Sequence, residues 1–177
     1  LEEPKLIKQK KKNIRSKNTN PPQLQINNLL KLYQDGNLYK AEKLALSIIG
    51  EYHKYKFAYK LLGSLLGTSG RISEALNINQ KSVELSPKDA LAHYNLGITL
   101  NDLGRFEEAE ASYMKAIALK PDLSQVYNNL GNTLKDLDRL DEAEEKYKKA
   151  VSLELNSAKA HFNLGSIFYI NGDTDAA

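Results

Sequence analysis

Three asparagines, Asn95, Asn129 and Asn163, recur at one fixed interval. A primary amide carries two N–H donors and a carbonyl acceptor. Amides spaced regularly on one surface can therefore hold the backbone of an extended polypeptide without reading its side chains. The same spacing allows a second use, in which each amide bonds a neighbouring helix. Tyr94, Asn101, Asp102, Asn128, Asn132, Asp136 and Phe162 lie close to this row in the sequence and extend its polar and aromatic character. Catalytic chemistry is poorly supplied. His93 and His161 stand two such intervals apart, at aromatic places that read as packing positions. Adjacent carboxylates such as Glu107 and Glu108 read as a solvated helix face, not as a positioned acid and base. The sequence has no Cys, and it shows no phosphate loop, nucleophile elbow or dinucleotide fingerprint. Neither catalysis nor a cofactor or metal is expected of these residues.

The elements that position the amides repeat with the same period. Ala90 to Leu123, shifted forward by one interval, falls on Ser124 to Ser157 with Leu96-Gly97 on Leu130-Gly131, Ala109 on Ala143 and Tyr113 on Tyr147. Shifted back, it falls on Lys56 to Asp89. Two helical runs in each period of this length mark a repeat solenoid. The order His93, Leu96-Gly97, Leu100, Gly104, Ala109, Tyr113, Ala116, Pro121 resembles the pattern of the tetratricopeptide repeat family. The resemblance extends from about Pro22 to Ala177. It implies an all-α, right-handed α-α superhelix whose first helices line a concave groove and whose second helices lie mostly outside. The Asn row itself resembles the ladder in the tetratricopeptide domain of O-linked N-acetylglucosamine transferases, which holds extended polypeptide.

Taken in order, residues 1–21 form a basic tail, with seven Lys/Arg against two Glu for a net of +5. Its few apolar residues cannot offset the entropy of ordering, so a flexible tail is expected. A solvated linker is favoured over a contact with nucleic acid or an anionic membrane surface, because no aromatics interleave the charges. Residues 22–55 read as a degenerate first repeat, followed by repeats at 56–89, 90–123 and 124–157 and a partial one at 158–177. Helices are expected near 23–34, 38–51, 57–68, 72–85, 91–102, 106–119, 125–136, 140–153 and 159–170. Ser73 is expected at a helix start, and Glu142–Lys146 and Glu144–Lys148 as i,i+4 pairs. Gly63, Gly97, Gly131 and Gly165 should allow close helix approach opposite Ala75, Ala109 and Ala143. Leu155 replaces the usual Pro, which predicts a less sharp end to the fourth repeat.

Composition fits one ordinary domain, 41% apolar and 27% charged, and no apolar run reaches the ~20 residues that span a bilayer. A cytoplasmic location is the expectation. The chain reads as a fragment, since it starts at Leu1 and stops inside a repeat. The leading functional expectation is a non-catalytic scaffold that binds a protein or peptide in the groove. The alternative is a substrate-recruiting region of a larger glycosyltransferase or sulfotransferase. Self-association through the last repeat, with Ile167 and Phe168 left uncovered, is a third class. A clamp for an anionic C-terminus is disfavoured by Asp102 and Asp136.

Overall fold

The computed structural model describes residues 20–170 and 172, so the basic stretch 1–19 and the segment 173–177 lie outside it. The described residues form nine α-helices and no strand: α1 (Gln23–Gln34), α2 (Leu38–Glu51), α3 (Lys56–Thr68), α4 (Ile72–Leu85), α5 (Ala90–Asp102), α6 (Phe106–Leu119), α7 (Ser124–Asp136), α8 (Leu140–Leu153) and α9 (Ala158–Ile170). They make four helix pairs and one further helix. The first helices of repeats 1 to 3 stop where the chain turns left-handed, at Gly36, Gly70 and Gly104 with φ of 70–74°. Glycine takes that conformation without a Cβ clash. In the fourth repeat the same place holds Asp138, with φ 59°.

Each helix packs on the next in sequence, and in addition α3 touches α5, α5 touches α7, and α7 touches α9. No two second helices meet among the described residues. The first helices therefore occupy the shorter, inner arc, and their free face is concave.

The first and second helices of a repeat meet at a rung whose contents change along the chain. In repeats 3 and 4 a glycine faces a tyrosine ring. A Cβ at Gly97 would lie 2.5 Å from Tyr113 Cε1, and one at Gly131 would lie 2.6 Å from Tyr147 Cε1. The expected facing of these glycines by Ala109 and Ala143 is thus corrected. The missing side chain makes room for a flat ring, while the alanines are buried elsewhere in the interface. In repeat 2 Gly63 faces Asn79, not Ala75. In repeat 1 the bulk has changed sides, with Leu29 at the glycine place and Ala45 at the tyrosine place, both fully buried in one cluster.

Four further expectations are corrected. Ser73 caps nothing: α4 starts after Arg71 and has no side-chain cap. Only Asp89 caps a described helix start with its side chain, accepting from the Leu91 N–H at 3.0 Å. Glu142 pairs with Arg139 at 2.7 Å instead of Lys146, because the guanidinium at the helix entry reaches it with two parallel bonds. The Glu144–Lys148 pair is present. Helix α8 has the same 14-residue length as α6, so the loss of Pro at Leu155 does not blunt its end. Ile167 is fully buried in the core, because its place on α9 packs back onto the preceding repeat. Phe168 lies half-buried with the Lys148 ammonium 5.7 Å from its ring centre.

The candidate groove

The inner faces of α5, α7 and α9 bring most of the polar residues singled out above together. Asn129 Nδ2 donates to the Tyr94 hydroxyl at 3.1 Å. Asn163 Nδ2 donates to Asn128 Oδ1 at 2.9 Å and to Asn132 Oδ1 at 3.1 Å. Asn132 Oδ1 also accepts from the Tyr147 hydroxyl at 2.7 Å. A longer contact of 3.5 Å from Asn128 Nδ2 to Asn129 Oδ1 joins the two sets. The row is thus a connected chain from Tyr94 to Tyr147 in which an amide of one repeat reaches the preceding repeat. Thr133 adds a strut, its hydroxyl shared between Asn101 Oδ1 (2.7 Å) and the Asn129 carbonyl (3.1 Å).

These bonds use the amides incompletely. Asn132 Nδ2, Asn101 Nδ2 and both ends of the Asn95 amide make no hydrogen bond among the described residues. Asn101, Asn129 and Asn132 share a groove pocket of ≈ 220 Å³ with Ile98, Asp102, Tyr113 and Lys159. A second pocket, ≈ 90 Å³, lies between the starts of α7 and α9 and is lined by Tyr94, Asn128, Asn129 and again Lys159. Burial pushes the phenol pKa of Tyr94 up, and that of Tyr113 further, with Tyr94 and Asp102 adding to the effect on Tyr113. Both rings therefore stay neutral hydroxyls at physiological pH. Partial desolvation raises the Asp102 pKa. Asp136 and Phe162 are exposed and stand apart from the network, Phe162 with 77% of its surface free.

Sequence reasoning misses two groove contributors. Lys159 sits in the first turn of α9, and nothing in its own stretch of sequence points inward. Tyr113 reads as core alone in the sequence, yet it is both a buried rung and a wall of the larger pocket. A third omission is structural. Tyr59, His93 and His161, at one place in repeats 2, 3 and 5, each bond the carbonyl six residues earlier: His53 O (3.1 Å), Pro87 O (3.0 Å) and Leu155 O (2.8 Å).

Family models described as tetratricopeptide repeat match residues 90–123 and 112–145, and one described as TPR repeat matches 131–172. Residues 90–172 carry tetratricopeptide repeats. Solved structures share the fold of this tetratricopeptide solenoid. MamA (41-end) from Desulfovibrio magneticus is 21% identical, covering 86% of each chain with a TM-score of 0.78. YrrB, described as a TPR protein with an unusual peptide-binding site, is 19% identical over 85% of this chain and 78% of that one, with a TM-score of 0.70. The first TPR of Spaghetti (RPAP3), bound to the HSP90 peptide SRMEEVD, is 24% identical over 66% of this chain and 93% of that one, with a TM-score of 0.64. No curated protein sequence matches the chain. Among the described residues no helix is long and apolar enough to cross a membrane.

Proposed function

We propose that this tetratricopeptide domain is a non-catalytic binding module that holds an extended polypeptide segment along the concave face of α5, α7 and α9. The observation that carries the reading is the hydrogen-bonded amide row with spare N–H groups from Asn101 and Asn132 turned to one groove pocket. Such donors suit backbone carbonyls, which recur along any extended chain. Recognition is accordingly broad in sequence, with selectivity from Tyr94, Asp102, Asp136 and Phe162. The peptide-binding site named for YrrB and the peptide bound to the Spaghetti domain support a peptide as the ligand class.

The test is binding to an array of unrelated immobilised peptides. Each backbone hydrogen bond contributes about 0.5–1.5 kcal/mol net, so the triple change Asn95→Ala, Asn101→Ala, Asn132→Ala, which removes the unbonded amide N–H groups, should weaken binding by at least tenfold. Asn95→Ala alone should weaken it mildly and leave the melting temperature unchanged, since the Asn95 amide supports no neighbour. If the triple variant, folded by circular dichroism, binds as well as the parent, the amides serve only to join helices and the reading is wrong.

A further inference from the structure

The buried polar side chains are not spread evenly. Among the described residues eight are buried, and five of them (Asn79, Ser82, Ser86, His93 and Thr99) belong to the joint between repeats 2 and 3. The buried face of α4 reads Ala75, Asn79, Ser82, where α6 reads Ala109, Tyr113, Ala116 and α8 reads Ala143, Tyr147, Ala150. Asn79 is 1% exposed and donates to Thr99 Oγ1 at 2.9 Å, but its own Oδ1 finds no partner. A buried, half-satisfied amide weakens an interface that an apolar ring would hold.

Four other observations fall at or beside the same place. The fully buried apolar residues divide there into two clusters, one from Leu29 to Ala75 and the next from Leu100 on, and from repeat 2 the partly buried Leu76 packs against the second. The rung of repeat 2 is also the least bulky, a glycine against an asparagine. On the outer surface Arg71 reaches back to Glu42 at 2.5 Å and Arg139 to Glu110 at 2.6 Å, tying repeat 1 to 2 and repeat 3 to 4. Arg105 has no such link, because Leu76 stands at the corresponding place. What crosses the 2–3 joint on the inner side is polar, chiefly Lys60 Nζ to Asp89 Oδ2 at 2.8 Å.

We propose that the solenoid flexes at this joint, residues 22–87 and 88–170 moving as two blocks. In a solenoid each repeat meets only its neighbours, so a joint that carries buried polar groups in place of apolar rings is where sub-global opening is favoured. The amide row from Tyr94 to Asn163 lies wholly in the second block. Flexure therefore leaves the row intact and changes the angle at which Lys60 and Leu61 approach its near end. This holds whatever the groove binds.

The chain has no Cys, so nitroxide labels can be placed at will. Ser47, Lys81, Lys115 and Lys149 are exposed and occupy one repeat place on successive outer helices. Three double-Cys variants then sample three joints at equal spacing: 47 with 81, 81 with 115, and 115 with 149. Electron–electron distance measurements should give a distribution about twice as broad for the 81/115 pair as for the other two. Adding Asn79→Tyr, which sets against Gly63 the side chain that Gly97 and Gly131 already face, should narrow it to match them. Hydrogen exchange supplies a readout without that substitution. Amides of residues 82–99 should exchange about tenfold faster than those of 116–133, the same segment one repeat on. Equal widths for the three pairs, or equal protection of the two segments, would overturn the proposal.

Discussion

The first two helix pairs and the next two follow one backbone plan but carry their bulk in different places. Repeats 3 and 4 put a tyrosine on the second helix against a glycine on the first. Repeat 1 does the reverse, with Leu29 and Ala45, and repeat 2 has bulk on neither side. The backbone period is kept throughout, yet the interfaces it creates differ in what fills them. A repeat array can thus hold its geometry constant while grading the strength of its joints, because geometry follows from helix length and turn while strength follows from rung volume and polarity.

The largest expected effect tests that contrast directly. Tyr147→Ala removes a fully buried ring and should cost about 3–5 kcal/mol in chemical denaturation, the range for large aromatic truncations. Asn79→Ala, at the matching place, should cost no more than about 1 kcal/mol, since it loses a hydrogen bond to Thr99, a long one of 3.4 Å to the Asn95 carbonyl and an unpartnered oxygen. Similar losses at the two sites would erase the distinction between the halves. Next in size is overpacking. Gly131→Leu drives a side chain into the Tyr147 ring and should destabilise by about 1–3 kcal/mol. Gly67→Ala, where a Cβ meets nothing within 4 Å, should stabilise by up to about 1 kcal/mol through helix propensity. A loss at Gly67 would show that the first half is packed as tightly as the second.

A smaller gain is expected from Asp138→Gly, which relieves a left-handed conformation in the one described left-handed turn that lacks glycine. Thermal denaturation should register under about 1 kcal/mol, as Asp tolerates that region better than most residues. Smallest is a pH effect at the 2–3 joint. Burial alone would raise the Asp89 pKa, but the Lys60 ammonium and the Leu91 and Ala92 N–H groups outweigh it and hold it below its usual 3.8. A depressed carboxylate contributes stability above its unfolded pKa and loses it as pH falls through the folded value. The partly exposed pair is worth well under about 1 kcal/mol. Protection of the α5 start against hydrogen exchange should therefore fall below about pH 4 in the parent and be insensitive to pH in Asp89→Asn.

Much of the fold was legible because periodicity is a linear property. The Leu-Gly pairs and the stop glycines place helix ends to within a residue, and only the starts of α3, α5, α7 and α9 come one residue earlier than expected. The rungs were not legible, since the partner of Gly97 is the ring of Tyr113 and its volume matters only once two helices face each other. The groove was legible in part. Stacking at a fixed period puts the same place of each repeat on the same surface, which brings Asn129 and Asn163 into one hydrogen-bonded network. It gives no hint of the stagger that lets Asn163 reach both Asn128 and Asn132 of the preceding repeat. Lys159 escapes notice for the same reason, its approach to the groove being set by where α9 begins relative to α7.

The bonds from Tyr59, His93 and His161 to the carbonyl six residues upstream have a consequence for how such a chain can change length. Each bond spans the connection between one repeat and the next, so it meters that connection like a caliper. A residue inserted between Pro87 and His93 would carry the ring off its acceptor and leave a partly buried carbonyl without a donor. Single-residue growth at these crossings therefore breaks the bond, whereas adding or removing a whole repeat keeps its span.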